Sequence, residues 1–354
     1  MTFDQQDITD SIRNAGVAGA GGAGFPSYVK WSDLDSIDYF LMNHQESEPG
    51  FYTDKWLGRE YPDLYARLFD ALDEYFGCFV IGLKAKDRDW CRELESATDG
   101  TIYPPNELPV DLENETGVVF AYTPARYSFS EEKSLLMAVA RLQIGSDLPT
   151  EHGWIVHNTE TTYNIARALF DGTPVTRKFV HVYGDVPQHR CLSVPIGTPV
   201  STLLEAAGTS LEAVRNDDMV LLDGGPGWCY EIENPEAFGV RKRTNALLAL
   251  PADLIEGHRG DRGQIDVREA KDWDDSHEVE PTESTSDRVR IPLITNAAYE
   301  GLVTPSQPIV EAGDRVSEGE TIAKASEDGI SIPQHASIDG LVRNVTRTHV
   351  VIDR

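Results

Sequence analysis

The chain has 354 residues, 40% of them hydrophobic, with 59 acidic residues against 31 basic ones and a formal net charge of −28. That length accommodates two or three domains with cores of their own. The charge disfavours nucleic-acid backbones and anionic lipid surfaces as direct partners, and no uninterrupted apolar run is long enough to insert into a membrane. The opening Met1-Thr2-Phe3-Asp4 lacks the basic start and apolar core of a secretory signal, so a cytoplasmic location is expected. Only nine of the basic residues are lysines. An acid-rich, lysine-poor chain resembles proteins of salt-loving organisms; an ordinary acidic cytosolic protein is the alternative.

In chain order, residues 4–16 read as a short amphipathic helix, with Ile8, Ile12 and Ala15 on one face. The run Ala18-Gly19-Ala20-Gly21-Gly22-Ala23-Gly24-Phe25-Pro26 follows and reads as a loop. Residues 37–42 form a predicted strand ending at Asn43, and residues 62–76 a helix. A strand over 117–122 and helices over 131–143 and 161–170 complete an α/β domain at 1–176. Beyond Pro174 the pattern changes to short β-branched runs. Strands over 179–184, 219–222 and 246–250, with a helix at 200–205, predict a small α+β domain at 177–252. The segment 253–287 is polar and acidic and reads as a linker. Residues 288–354 carry many short strands between Gly, Pro and Asp turns, a small all-β module.

Cys78, Cys91, Cys191 and Cys229 lie far apart with no C-x-x-C pair. Zinc and iron–sulfur sites need clustered thiolates, so no metal site or iron–sulfur cluster is expected in this chain.

Gly19, Gly21 and Gly24 satisfy G-x-G-x-x-G, but a helix precedes them and Pro26 follows, so the ordinary dinucleotide fingerprint does not apply. Together with Gly22 they still permit close approach of backbone N–H groups to a phosphate, which Lys30 can neutralise; a tight turn is the alternative. Asn43, Glu46 and Glu48 follow a predicted strand end, where open α/β sheets place ligands. Their side chains can bond sugar hydroxyls or a flavin edge; a solvated acidic loop is the alternative.

The run from Gly19 to Ser27, then Lys30, Asn43 and Glu46-Ser47-Glu48-Pro49, resembles the flavin site of the NADH-binding subunit family of respiratory complex I. The branch holding the RnfC component of the Rnf electron-transport complex and the cobalamin reductases is still more similar. Tyr127-Ser128-Phe129-Ser130-Glu131-Glu132-Lys133 and Asn158-Thr159-Glu160-Thr161 extend the resemblance. Val194-Pro195-Ile196-Gly197-Thr198-Pro199 looks like the start of a soluble-ligand-binding β-grasp (SLBB) domain, and Asp223-Gly224-Gly225-Pro226 and Arg243-Thr244-Asn245 continue the match. Gln45, Ser130 and His157 depart from it, standing where an aspartate, a glycine and an asparagine are usual.

The resemblance implies a Rossmann-like α/β flavin domain, an SLBB-like β-grasp domain and a lipoyl-like barrel-sandwich hybrid module. It implies FMN bound by Gly19, Gly21, Gly22, Gly24, Lys30, Asn43, Glu46, Glu131, Glu132, Asn158 and Thr161. NADH would meet Phe25 and Glu48, passing hydride to the flavin with no catalytic acid–base residue. Ser130 would crowd the flavin. The segment 309–319 and Pro333-Gln334-His335-Ala336 look like the two halves of the barrel-sandwich fold. The tip Glu327-Asp328-Gly329 has no carrier lysine, and Lys324 is displaced from it, so a structural or docking role is expected and His335 reads as structural. Relatives carry a cysteine-rich segment where this chain has acids, so electrons would leave to a separate acceptor protein or complex. A corrinoid reductase and a catalytically silent scaffold are the alternative functions. A haloarchaeal source fits the composition.

Overall fold

The computed structural model describes residues 3–273, 280–299 and 301–354. The chain forms two compact units. The first takes residues up to Ile12, Ser27–Ser47 and Tyr52–Gly172; the second takes Arg13–Pro26, Glu48–Phe51 and Thr173–Arg354.

In the first unit, strands β1 (Tyr39–Asn43), β2 (Cys78–Lys84), β3 (Thr101–Tyr103), β4 (Gly117–Thr123) and β5 (Trp154–Asn158) make one sheet in the order β3-β4-β2-β1-β5. Every pairing is parallel. β2 is buried along its whole length, as expected of a strand covered on both faces. On one face Leu41, Val80, Val119 and Val156 pack with Leu135, Leu136 and Val139. On the other, Phe40, Phe69, Phe76 and Phe79 form an aromatic cluster with Trp31, ring centroids 5.0–6.2 Å apart. Around the sheet lie α1 (Gln5–Asn14), α2 (Thr53–Glu60), α3 (Pro62–Leu72), α4 (Arg92–Thr98), α5 (Glu132–Ala140) and α6 (Thr159–Asp171). Pro62 starts α3 where its missing N–H costs nothing. The predicted helix over 131–143 ends earlier, because Arg141 turns left-handed (φ 52°).

The second unit opens with a six-stranded mixed sheet in the order β11-β7-β6-β10-β8-β9. Its strands are β6 (Arg177–Gly184), β7 (Arg190–Pro195), β8 (Met219–Gly225), β9 (Trp228–Glu231), β10 (Ala246–Pro251) and β11 (Thr282–Glu283). Helices α7 (Val200–Ala206) and α8 (Leu211–Asn216) close one face over Val180, Val182, Leu221 and Leu247.

The other face corrects an expectation. Residues 260–273, read from composition as linker, cover it: Ile265 and Val267 are fully buried beside Leu222, Leu248 and Trp273. β11, further along the expected linker at 253–287, pairs with β7, and residues 274–279 of that linker lie outside the described residues.

The chain ends in two small sheets. One is β12 (Arg288–Pro292), β18 (His349–Asp353), β17 (Gly340–Val345) and β14 (Arg315–Val316); the other is β13 (Gln307–Pro308), β15 (Thr321–Lys324) and β16 (Gln334–His335). Val289, Ile291, Ile322, Ile338, Val342 and Ile352 make their shared core. No described helix is long and apolar enough to cross a membrane.

Candidate cofactor site

The expected site residues fall in both units and are taken unit by unit. In the first, the carboxyl ends of the parallel strands gather Asn43, Lys84, Thr123 and Asn158, with Asn43 level with Gly82 and Asn158 in the sheet. Asn43 donates to the Ser130 carbonyl at 2.7 Å and accepts from the Gln45 N–H at 3.2 Å. Glu46 accepts from the Asp54 N–H at 2.7 Å, and Lys84 donates to the Glu46 carbonyl at 2.9 Å. Burial pushes the Glu46 carboxyl up, opposed by Lys55, the Asp54 N–H and Lys84. Burial and then Lys86 push the Lys84 ammonium down.

Lys30 sits in a short turn, Ser27–Trp31. It meets a second expected residue: its ammonium lies 3.4 Å from the Glu132 carboxylate and donates to the Val156 carbonyl at 2.9 Å. Glu131 is the exposed residue immediately before α5. Asn158 caps α6, accepting from the Glu160 and Thr161 N–H groups, as N-cap residues do. Its amide N–H donates to both Asp54 oxygens, at 2.8 and 3.0 Å. The expected flavin contact is thus engaged in placing α6 and Asp54, and Thr161 is buried beneath the cap.

The three departures each have a local partner. Gln45 donates to Thr123 Oγ1 at 3.0 Å. Ser130 folds back to donate to the Tyr127 carbonyl at 2.7 Å. His157, which burial keeps neutral, accepts from the Trp31 indole at 2.9 Å.

In the second unit the glycine loop is a closed hairpin. Ala18 bridges Pro26, Gly19 N–H donates to the Phe25 carbonyl, and Gly24 N–H donates to the Gly19 carbonyl, both at 2.9 Å. The N–H groups of Gly21, Gly22 and Ala23 donate to no other group among the described residues. Gly22 has φ +105°, and open space lies where its side chain would be. Unengaged N–H groups at a glycine turn form an anion-binding concavity.

Phe25 packs edge-on against Tyr299, centroids 5.4 Å apart. Glu48 is docked in the turn between β8 and β9, where its Oε2 accepts from Gly227 N–H at 2.7 Å. Gly50 leaves room for Tyr183, and Phe51 stacks on His181 at 4.3 Å. Asp223 and Arg243 form a buried ion pair at 2.8 Å. The four cysteines are free and buried, and burial raises the Cys78 thiol to about 12. Among the described residues, no three His, Cys, Asp or Glu side chains are placed to hold a metal ion.

Sequence reasoning missed Lys84, Asp54 and Thr123. The signal for Lys84 was its place directly after the apolar run Cys78-Phe79-Val80-Ile81-Gly82-Leu83, at the carboxyl end of a parallel strand.

This architecture matches two known domain families. Residues 12–167 match the Nuo51 FMN-binding domain, and residues 262–353 match the RnfC barrel sandwich hybrid domain. Among individual proteins, the chain is similar to the cobalamin reductase PduS of Salmonella typhimurium, 32% identical over 257 residues, covering 71% of this chain and 51% of that one. It is also similar to a subunit of the ion-translocating oxidoreductase complex of Vibrio cholerae, 25% identical over 249 residues, covering 69% and 30%. The chain therefore spans about half the length of the cobalamin reductase it matches. In fold it is similar to a chain of an NAD+-reducing [NiFe]-hydrogenase, with TM-score 0.52 and 21% identity over 71% of this chain and 47% of that one.

Proposed function

We propose that the chain is a flavin-dependent oxidoreductase, or the electron-input part of one, that binds FMN and oxidises NADH or NADPH. The observation that carries the reading is the glycine loop, whose Gly21, Gly22 and Ala23 N–H groups are left unengaged, within a stretch that matches an FMN-binding domain. That donor set fits a phosphate monoester. Gly19 and Gly24 close the loop, and Gly21 and Gly22 meet the phosphate. Lys30, Asn43, Glu46, Glu131, Glu132 and Thr161 are the proposed flavin contacts, with Asn158 acting through its cap. Phe25 and Glu48 are the proposed contacts of the dinucleotide. When bound, FMN accepts a hydride and returns electrons one at a time; the protein supplies alignment and electrostatics. The middle β domain is proposed to be SLBB-like.

Electrons then pass to a separate acceptor protein or complex. A corrinoid acceptor is the second reading, favoured by the similarity to a cobalamin reductase. A diaphorase assay with FMN-loaded protein, NADH and an artificial dye, run beside iron and sulfide analysis, tests the proposal. Dye reduction without stoichiometric iron is expected. Inactive FMN-loaded protein would favour a scaffold, and stoichiometric iron with labile sulfide would overturn the single-cofactor reading.

A further inference from the structure

The C-terminal barrel-sandwich module contacts the glycine loop at Ala23 and Gly24 and the chain at the loop's root, all within the second unit. Asn296 donates to the Ala23 carbonyl at 2.8 Å. A side chain on Gly24 (φ +66°) would lie 3.1 Å from the Thr295 carbonyl, Asn296 Cβ and Arg243 Cδ. At the loop's root, the buried Lys242 donates to the Gly16 carbonyl at 2.7 Å. A Gly16 side chain would lie 2.7 Å from the Pro333 carbonyl and 3.5 Å from His335. His335 is buried beside this root.

We infer that this module is a structural part of the cofactor-phosphate site, with Asn296 the positioning residue that holds the glycine loop in its phosphate-accepting shape. The inference rests on the FMN reading above. Its physical basis is the planarity of the peptide bond. Holding the Ala23 carbonyl sets the plane of the Ala23–Gly24 peptide. The Gly24 N–H in that plane closes the loop on the Gly19 carbonyl at 2.9 Å. With the loop closed there, Gly21, Gly22 and Ala23, whose N–H groups are unengaged, are held at its tip. The asparagine is itself braced: its Oδ1 accepts from the Ala298 N–H at 2.9 Å, so both ends of the amide have work. A docking module or a carrier domain has no need of such an arrangement around a neighbouring loop.

Asn296→Asp separates the two bonds. The carboxylate keeps the Ala298 N–H and repels the Ala23 carbonyl, so the module's own turn survives while the loop loses its tether. Full-length wild type and variant are titrated with FMN and, separately, with riboflavin, which lacks the phosphate; thermal melting is recorded alongside. Wild type should bind FMN more tightly than riboflavin. The variant should lose about tenfold or more in FMN affinity, keep its riboflavin affinity, and melt near the wild-type temperature. Equal losses for both flavins, or no loss for either, overturn the inference. A wild type that binds neither flavin instead refutes the FMN reading itself. Should Asn296→Asp fail to fold, Asn296→Ser, shorter and uncharged, reads the same difference between the two flavins.

Discussion

Gly225→Ala is a small change with a specific expected cost. Gly225 does not have a positive φ, so an alanine there tests space alone. Its Cβ would fall 2.5 Å from Glu48 Cγ and Cδ, inside any tolerable contact. The glutamate is the flexible partner and must leave, breaking the 2.7 Å bond from Gly227 N–H to its carboxylate. A hydrogen bond to a charged group contributes about 1.5–3 kcal/mol, so the variant should lose roughly that much. Glu48→Ala should lose at least as much. Because Gly225→Ala acts through Glu48, the double variant should cost little more than Glu48→Ala alone, a coupling of about 1.5–3 kcal/mol. Urea unfolding followed by tryptophan fluorescence, on the four proteins of the cycle, gives the number. Additive costs would show that the glycine is there for another reason. If Glu48 also meets the dinucleotide, Gly225→Ala should raise the KM for NADH and leave FMN affinity unchanged.

Two further outcomes concern solution conditions. Burial holds His44 and His335 at about 3, against roughly 6.5 in the unfolded chain. Between these values the unfolded state binds more protons, so stability falls as pH drops below about 6.5, by up to roughly 1.4 kcal/mol per pH unit for each histidine. Urea midpoints at pH 7, 6 and 5 should decline, less steeply in His335→Gln; a constant midpoint would contradict the burial argument. The net charge of −28 should make melting temperature rise between low and molar KCl as self-repulsion is screened. A flat curve would remove electrostatic repulsion as a stability determinant.

Much of the architecture is legible in the sequence because periodic patterns and special residues mark it. Asn43 does stand at the end of a strand, and the glycine run does form a loop. β2 escapes sequence reasoning although it is central: its six apolar residues before Lys84 carry no alternation, since the strand is buried on both faces. Without β2, Lys84 is lost too, and with it the cationic neighbour of Glu46. The acidic composition of 253–287 hides Ile265, Val267 and Trp273, because an average over a segment conceals a few well-spaced anchors. The second use of Asn158 has a readable signal, as an asparagine immediately before a helix is a capping residue. The crowding expected of Ser130 assumes a side chain facing outward, whereas its hydroxyl bonds within its own turn. Contacts between the glycine loop and Asn296 or Lys242 join residues more than 200 positions apart, and no local pattern announces them.

The central claim is that the chain binds FMN through the glycine loop, and a titration tests it most directly. Purified protein, stripped of flavin, is titrated into FMN while flavin fluorescence is followed, in parallel with Gly21→Leu. The account predicts saturable quenching at one FMN per chain for the wild type and none for the variant, whose side chain blocks close backbone approach. No quenching by the wild type, or a Gly21→Leu variant that holds FMN as tightly, would contradict it.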